Sequence, residues 1–488
     1  MPEVNNALEV KRLPQKFGSD DRRVIARFFS PGDEARIRSV IDRVLALPES
    51  EVENLLVGIL NDFGSRHRNI EDLLEHHYQH IIHYVEDEDG LTRRRRLLIG
   101  AYFTMEYAIE SAALFNPSIV PSAWQGGVPE GGVRFMMSLR ATGEGHVSSI
   151  VFRRGIIDCD NNIEFDPVSR FSHQLQVVED SDYDKHTFYL KLVEMGACDD
   201  LADAILKALG ERFTLHELNC AIEEIRGGLE IPETSDEQVD NMLWLARSNY
   251  QLRVPEGTDP SEIVIFPSTD NECRGIEDVR LVRFTDDDGS VRYFGTFTAY
   301  NGFRILPQLI ESADFRTVKV HTLNGRYVQN KGMALFPRRI GGWYMMLSRL
   351  DGENLFLMHS DNVYFWNEAE VLQTPKYPWE FVQIGNSGSP LETEAGWLLL
   401  THGVGPMRQY CIGAMLLDRD NPSRIIGQTR RPLIVPTEEE RDGYVPNVVY
   451  TCGAMIHNDT LFIPYAMSDV ATTFATIPLP DLLNHLSD

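Results

Sequence analysis

Cys273-Arg274-Gly275-Ile276-Glu277-Asp278-Val279-Arg280-Leu281-Val282 sets two adjacent carboxylates between two arginines, directly ahead of an apolar run. A carboxyl group so placed is either an acid tuned by its neighbours or one half of a buried ion pair. Local spacing leaves both open, and for Asp278 the structural alternative is a pair with Arg274 or Arg280. Further polar and basic groups stand ahead of similar apolar runs or at their far ends: Asn116, Arg140, Lys331, Arg349, His402, Tyr410 and Asp469. One or two acids, several cations and neutral hydrogen bonders suit a polyhydroxylated substrate with an anion alongside.

Other candidates carry less. Ser387 in Gly385-Asn386-Ser387-Gly388-Ser389 misses the GxSxG nucleophile pattern, and no Walker or dinucleotide glycine pattern occurs. His76 and His80, four apart, share a helix face and could clamp a metal, but the HExxH arrangement is missing, so a polar helix surface and no metal is the expectation. Arg93 to Arg96 read as a solvated face pairing with Glu86, Asp87, Glu88 and Asp89.

The elements that must position these groups fall into two textures. Residues 1–110 read as an α-helical N-terminal domain, with Pro31-Gly32-Asp33-Glu34 as a helix start and a buried helix from Leu97 to Leu114. From Phe115 the chain turns to short strands rich in aromatic and β-branched residues, with Gly, Asp and Asn at the turns. A strand-pair pattern recurs five times, beginning at Val133, Arg292, Trp343, Trp397 and Leu461. The last four copies lie about 50–65 residues apart, the spacing of four-stranded propeller blades. The expected fold is therefore mainly β: a five-bladed β-propeller over 111–488, carrying a helical insertion at about 190–250. In such a ring the polar strand starts converge on the axis: Phe115–Ser118, Gly275–Asp278, Asn330–Pro337, Gly385–Pro390 and Val445–Val449.

Composition narrows the function. The formal net charge of −27 repels nucleic acid and anionic lipid, so neither is an expected partner, and an anionic ligand needs a local basic pocket. No run approaches 18 apolar residues, the start of the chain lacks a signal-peptide pattern, and six scattered cysteines form no CxxC pair. The expectation is a cytoplasmic protein.

With these residues in view, the chain resembles glycoside hydrolase family 130, the mannoside phosphorylases and related β-mannosidases. The likeness runs from about Phe115 to Leu483 outside the insertion. It rests on Gly275-Ile276-Glu277-Asp278, KGMALFP from Lys331, GWLLLTHGV from Gly396, LLDRDNPS from Leu416 and VPNVV from Val445. The resemblance implies a five-bladed propeller and a single-displacement, inverting reaction at a β-mannoside, with Asp278 as general acid acting through a sugar hydroxyl. It also implies that Lys331, Arg349, His402 and Tyr410 hold phosphate, and that Asn116, Arg140 and Asp469 contact sugar. Inorganic phosphate would be the co-substrate, with no cofactor. The family's usual proline after the acidic pair is Val279 here, and Tyr465-Ala466-Met467-Ser468-Asp469 stands where small residues are common.

An inverting hydrolase needs a second carboxylate to activate water, whereas phosphate is already a nucleophile and needs cations to hold it in line. Lys331, Arg349 and His402 together point to a phosphorylase that forms α-mannose 1-phosphate. Two readings stay open: a β-mannosidase using Glu392 or Glu394, and a non-catalytic carbohydrate-binding propeller. The N-terminal helices leave room for a homo-oligomer in which they cover a neighbour's funnel.

Overall fold

The computed structural model describes residues 8–86, 90–178, 181–228 and 235–487. Short strands rich in apolar residues pair into five antiparallel groups. The first comprises Ala113–Pro121, Val133–Thr142 and Ser148–Ile157, edged by Ile163–Phe165 and Ile263–Ile265. The second holds Gly275–Thr285, Val291–Tyr300, Ile305–Ser312 and Thr317–Thr322, extended by Tyr250–Arg253. It touches the first through one parallel pairing, Gly275 with Ser148. Lys331–Leu335, Tyr344–Arg349, Leu355–Ser360 and Glu368–Gln373 make the third. Gln383–Asn386, Gly396–Val404, Tyr410–Leu417 and Ile425–Gln428 make the fourth. The fifth contains Val449–Tyr450, Thr460–Met467, Ala471–Pro478 and, from the other end of the chain, Lys11–Phe17.

The near-continuous apolar runs of these strands follow from burial of both faces. In the second sheet Leu281 packs toward the first sheet with Met136 and Phe152, while its neighbours Val282 and Phe284 pack toward the third with Leu335 and Met346. In the fourth, Trp397 and Leu399 join Leu347 and Leu357 of the third, and Leu398 and Leu400 join Leu461 and Ile463 of the fifth. Phe462 and Phe474 of the fifth in turn pack with Phe135 and Met137 of the first. Each sheet thus shares an apolar cluster with the next, and the fifth shares one with the first.

The N-terminal region departs from the helical expectation at both ends. Lys11–Phe17 pairs with Ala471–Pro478, and Asp20–Phe28 pairs with Thr104–Glu110. The helix expected from Leu97 to Leu114 stops at Tyr102, because Thr104 onward alternates polar residues with Tyr107 and Ile109, which enter the core. Between these strands lie α1 (Glu34–Leu45), α2 (Glu49–Phe63), α3 (Ile70–Gln79) and α4 (Arg93–Tyr102). Asp33 caps α1 by accepting from Arg36 N, and Thr92 caps α4 by accepting from Arg95 N. The four arginines of α4, in order, pair with Glu71, Glu53, Glu49 and Glu75 of α3 and α2. Asp87, Glu88 and Asp89 lie outside the described residues. Arg95 also donates to the carbonyls of Val44, Leu45 and Leu47, tying α4 to the end of α1.

In the insertion, α5 (Lys185–Glu194), α6 (Asp200–Ala208), α7 (Leu215–Gly228) and α8 (Ser235–Ser248) enclose Phe188, Leu192, Ile205, Leu218 and Met242. Among the described residues no helix is long and apolar enough to cross a membrane.

Candidate active site

The strands that carry the candidate residues are irregular where the chemistry sits. In the first sheet the pairing slips between Phe115 and Ser118, in the second between Glu277 and Arg280, and in the third between Lys331 and Ala334. Each slip holds a residue with positive φ: Asn116 at 49°, Asp278 at 59° and Gly332 at 92°. Asn and Asp tolerate this left-handed region better than other side chains, yet each such residue stores roughly 1 kcal/mol or more. A bulge re-aims the side chain that a regular strand would bury between sheets. Asn447, at 64°, precedes the first strand of the fifth sheet in the same conformation.

The result is a cavity with about 420 Å³ of empty space, lined by Asp278, Arg280, Lys331 and Arg349, with Asn330, Tyr450, Thr296 and Thr298. Among the described residues Asp278 is its one lining carboxylate. Asn116 Nδ2 donates to Asp278 Oδ1 at 2.7 Å, and Arg140 Nη1 lies 3.4 Å from the same oxygen. The neighbouring Glu277 accepts from Arg140 Nη2 at 2.8 Å and from Lys331 Nζ at 2.5 Å. Arg280, the alternative partner for Asp278, instead donates to the Tyr450 hydroxyl at 2.6 Å. Its guanidinium sits against Gly332, where a Cβ would come within 3.2 Å of Nη1.

Electrostatics sort these groups. Burial alone pushes the Asp278 carboxyl up, but Arg140, Lys331, the Asn116 hydrogen bond and Arg280 together outweigh it and hold the group below the usual carboxylate range. Asp469, at φ 55° in the turn after Met467, is pushed up to about 6 by burial and by the Asp278 charge, against the pull of Arg140. The charge on Asp278 and the burial of Asp469 thus drive the two carboxyl groups apart in pKa, and Asp469 is not among the residues that line the cavity.

The other candidates fall behind this front. His402 is buried, and its Nε2 lies 3.3 Å from Arg349 Nη1 and 3.1 Å from Gln383 Nε2. Burial, Arg349 and Arg280 press its pKa well below the ordinary histidine value, so it is a neutral acceptor. Gly385 packs against its ring so closely that a Cβ would fall 2.5 Å from Cε1. Tyr410 stacks on His402, ring centroids 6.1 Å apart at 12°. The carboxylates considered as a hydrolytic base stand elsewhere: Glu392 is clamped by Arg338 at 2.7 Å and Arg419 at 3.0 Å, and Glu394 is exposed.

Spacing missed Arg280 as a cavity-lining cation, because its place beside Asp278 read as an ion pair. Tyr450 was also missed, although it directly follows VPNVV. Buried polar atoms without a protein partner gather here, among them Arg140 Nε, Arg280 Nε, Arg349 Nε, Asn116 Oδ1 and both amide atoms of Asn386. Such atoms mark a place built for polar company. Among the described residues no cluster of three or more His, Cys, Asp or Glu side chains is arranged to hold a metal ion.

Comparison with known proteins gives this geometry a lineage. A family model described as beta-1,4-mannooligosaccharide phosphorylase matches residues 256–488. The 1,2-beta-oligomannan phosphorylase of Thermoanaerobacter sp. (strain X514) is 30% identical over 223 residues, covering 45% of this chain and 73% of that protein. The beta-1,2-mannobiose phosphorylase of Listeria innocua serovar 6a is 27% identical over 265 residues, covering 52% and 73%. A solved structure of a Listeria innocua beta-1,2-mannobiose phosphorylase with beta-1,2-mannobiose covers 78% of this chain and 93% of its own, at 18% identity and a TM-score of 0.45. Sequence identity sustained over nearly three-quarters of a relative's length places the residues around Asp278 in a known lineage, and the chain belongs to glycoside hydrolase family 130.

Proposed function

We propose that the chain is an inverting β-mannoside phosphorylase, cleaving β-mannosides with inorganic phosphate to give α-mannose 1-phosphate and a shortened acceptor. The observation that carries this reading is the company Asp278 keeps: its one cavity is lined by Arg280, Lys331 and Arg349 and, among the described residues, by no second carboxylate. Hydrolysis by inversion needs that second carboxylate. Phosphorolysis needs the cations instead, each charge-assisted bond contributing about 1.5–3 kcal/mol. The relatives' names, all of mannoside phosphorylases, support the same substrate class.

In this reading a phosphate oxygen attacks the anomeric carbon from the face opposite the leaving group. The C1–O bond to phosphate forms as the glycosidic C1–O bond breaks, and the leaving oxygen takes a proton that Asp278 supplies through a sugar hydroxyl. Lys331, Arg280 and Arg349 hold phosphate in line and so remove much of the entropic barrier. Arg140 and Asn116 orient the acid, and Asp469 meets the sugar. The scaffold is a five-bladed propeller, a reading supported by the apolar clusters that link each sheet to the next and the fifth to the first. The six free cysteines suit a cytoplasmic setting.

The test is incubation with β-1,2- and β-1,4-mannooligosaccharides, with and without phosphate, followed by NMR of the sugar phosphate. Phosphate-dependent release of α-mannose 1-phosphate is expected, and turnover without phosphate would overturn the reading. Asp278→Asn should lower kcat by about 10²–10⁴-fold, the usual span for a positioned general acid.

A further inference from the structure

Glu277 holds two cations at once. Its Oε2 accepts from Lys331 Nζ at 2.5 Å and its Oε1 from Arg140 Nη2 at 2.8 Å, and the side chain is buried. Lys331 lines the Asp278 cavity, and Arg140 contacts Asp278 itself. Glu277 therefore ties a cation on the phosphate side of the cavity to a cation on the acid side.

This arrangement poses a problem that the phosphorolytic reading, on which the present inference rests, must solve. A proton donor has to hold a proton, yet the unliganded Asp278 faces positive charge from several directions. Asn116 and Arg140 face it from the first sheet, Arg280 from its own strand and Lys331 from the third sheet. Tyr450, Cys452 and Asp469 lie toward it from the fifth. These cations favour the carboxylate, the form that cannot protonate a leaving group.

We propose that Glu277 is a positioning residue that makes proton loading of Asp278 depend on phosphate: Glu277 holds Lys331 beside Asp278, and phosphate, on entering, takes Lys331 over. Phosphate brings negative charge into the cavity that Asp278 shares with Arg280, Lys331 and Arg349, and it occupies the cations that had favoured the carboxylate. Asp278 then takes one proton from solvent. In the reaction this proton passes to the leaving oxygen, and the carboxylate returns as the sugar phosphate departs. Glu277 and phosphate compete for the same ammonium, so the unreacted site stays unarmed until its co-substrate is present.

Calorimetric titration of the full chain with inorganic phosphate tests this. Glu277→Gln removes the competitor, so phosphate should bind about fivefold more tightly while kcat falls. A merely structural ion pair gives the opposite sign, since loosening Lys331 would weaken phosphate. Binding to Glu277→Gln that is unchanged or weaker overturns the proposal. A second measurement needs no Glu277 variant: the heat of phosphate binding is compared in buffers of different ionisation enthalpy. The wild-type protein should take up more protons on binding phosphate than Asp278→Asn does, and equal uptake overturns the proposal. Turnover without phosphate would sink the phosphorolytic reading itself, whereas phosphate-dependent turnover with equal proton uptake sinks this inference alone.

Discussion

Arg349 donates to His402, with Nη1 3.3 Å from Nε2, and the imidazole is the neutral partner. Its Nδ1 lies 3.1 Å from the Asn386 carbonyl oxygen, which fixes the proton on that nitrogen and leaves Nε2 to accept. In the phosphorolytic reading, the histidine that the family resemblance offered as a phosphate ligand aims Arg349 instead. Replacing it, as in His402→Ala, should raise the KM for phosphate roughly tenfold or more, the scale of a lost hydrogen bond to a charged group. The change in kcat at saturating phosphate should be smaller. Steady-state kinetics over a phosphate series measure the split, and a fall in kcat with unchanged KM would contradict the assignment.

Asp469 trades stability for position. Its pKa is near 6 in the folded chain against an ordinary value of 3.8, so the folded state favours the neutral acid. The stabilising contribution is full below about 3.8 and is lost as pH rises through about 6, so at neutral pH the charged group costs stability. Asp469→Asn should therefore raise stability by about 1–2 kcal/mol above pH 6, with little difference in acid. Activity should fall above about pH 6, where the asparagine replaces a carboxylate next to Arg140. Thermal melts of both proteins across a pH series, paired with activity, check this directly.

The strand Lys11–Phe17 closes the fifth sheet, and Arg12 Nε meets Glu440 Oε1 at 2.9 Å. Removing residues 1–18 would strip Ala471–Pro478 of its outer partner and leave a bare edge strand, a template for aggregation. Lower melting temperature and concentration-dependent aggregation are expected, measured by calorimetry and light scattering. Arg12→Ala, which leaves the strand in place, should cost about 1 kcal/mol or less, because Arg12 is partly exposed.

Where the sequence was legible, residue type and period carried the meaning. The acidic pair, the Lys331 and Arg349 termini and the insertion helices could be read because each sits in a local pattern. Two kinds of feature escaped. Lys11–Phe17 and Asp20–Phe28 take their structure from partners far away in sequence, which no local window contains. The roles of Arg280 and His402 depend on bulges and burial: the slip between Glu277 and Arg280 turns Arg280 toward Tyr450, and enclosure rather than spacing removes the charge from His402. The N-terminal arginines show the same limit, since their acids come from other helices.

The bond from Thr473 to the carbonyl of Leu13 spans 460 positions, and its sheet joins Lys11–Phe17 to Ala471–Pro478. During synthesis the early segment leaves the ribosome long before its mate exists. It must wait unpaired while every intervening sheet is made, and only the emergence of Ala471–Pro478 supplies its partner. That pairing is therefore a late event in synthesis, and nascent chains stalled short of Ala471 should carry the first four sheets with Lys11–Phe17 still without its partner strand.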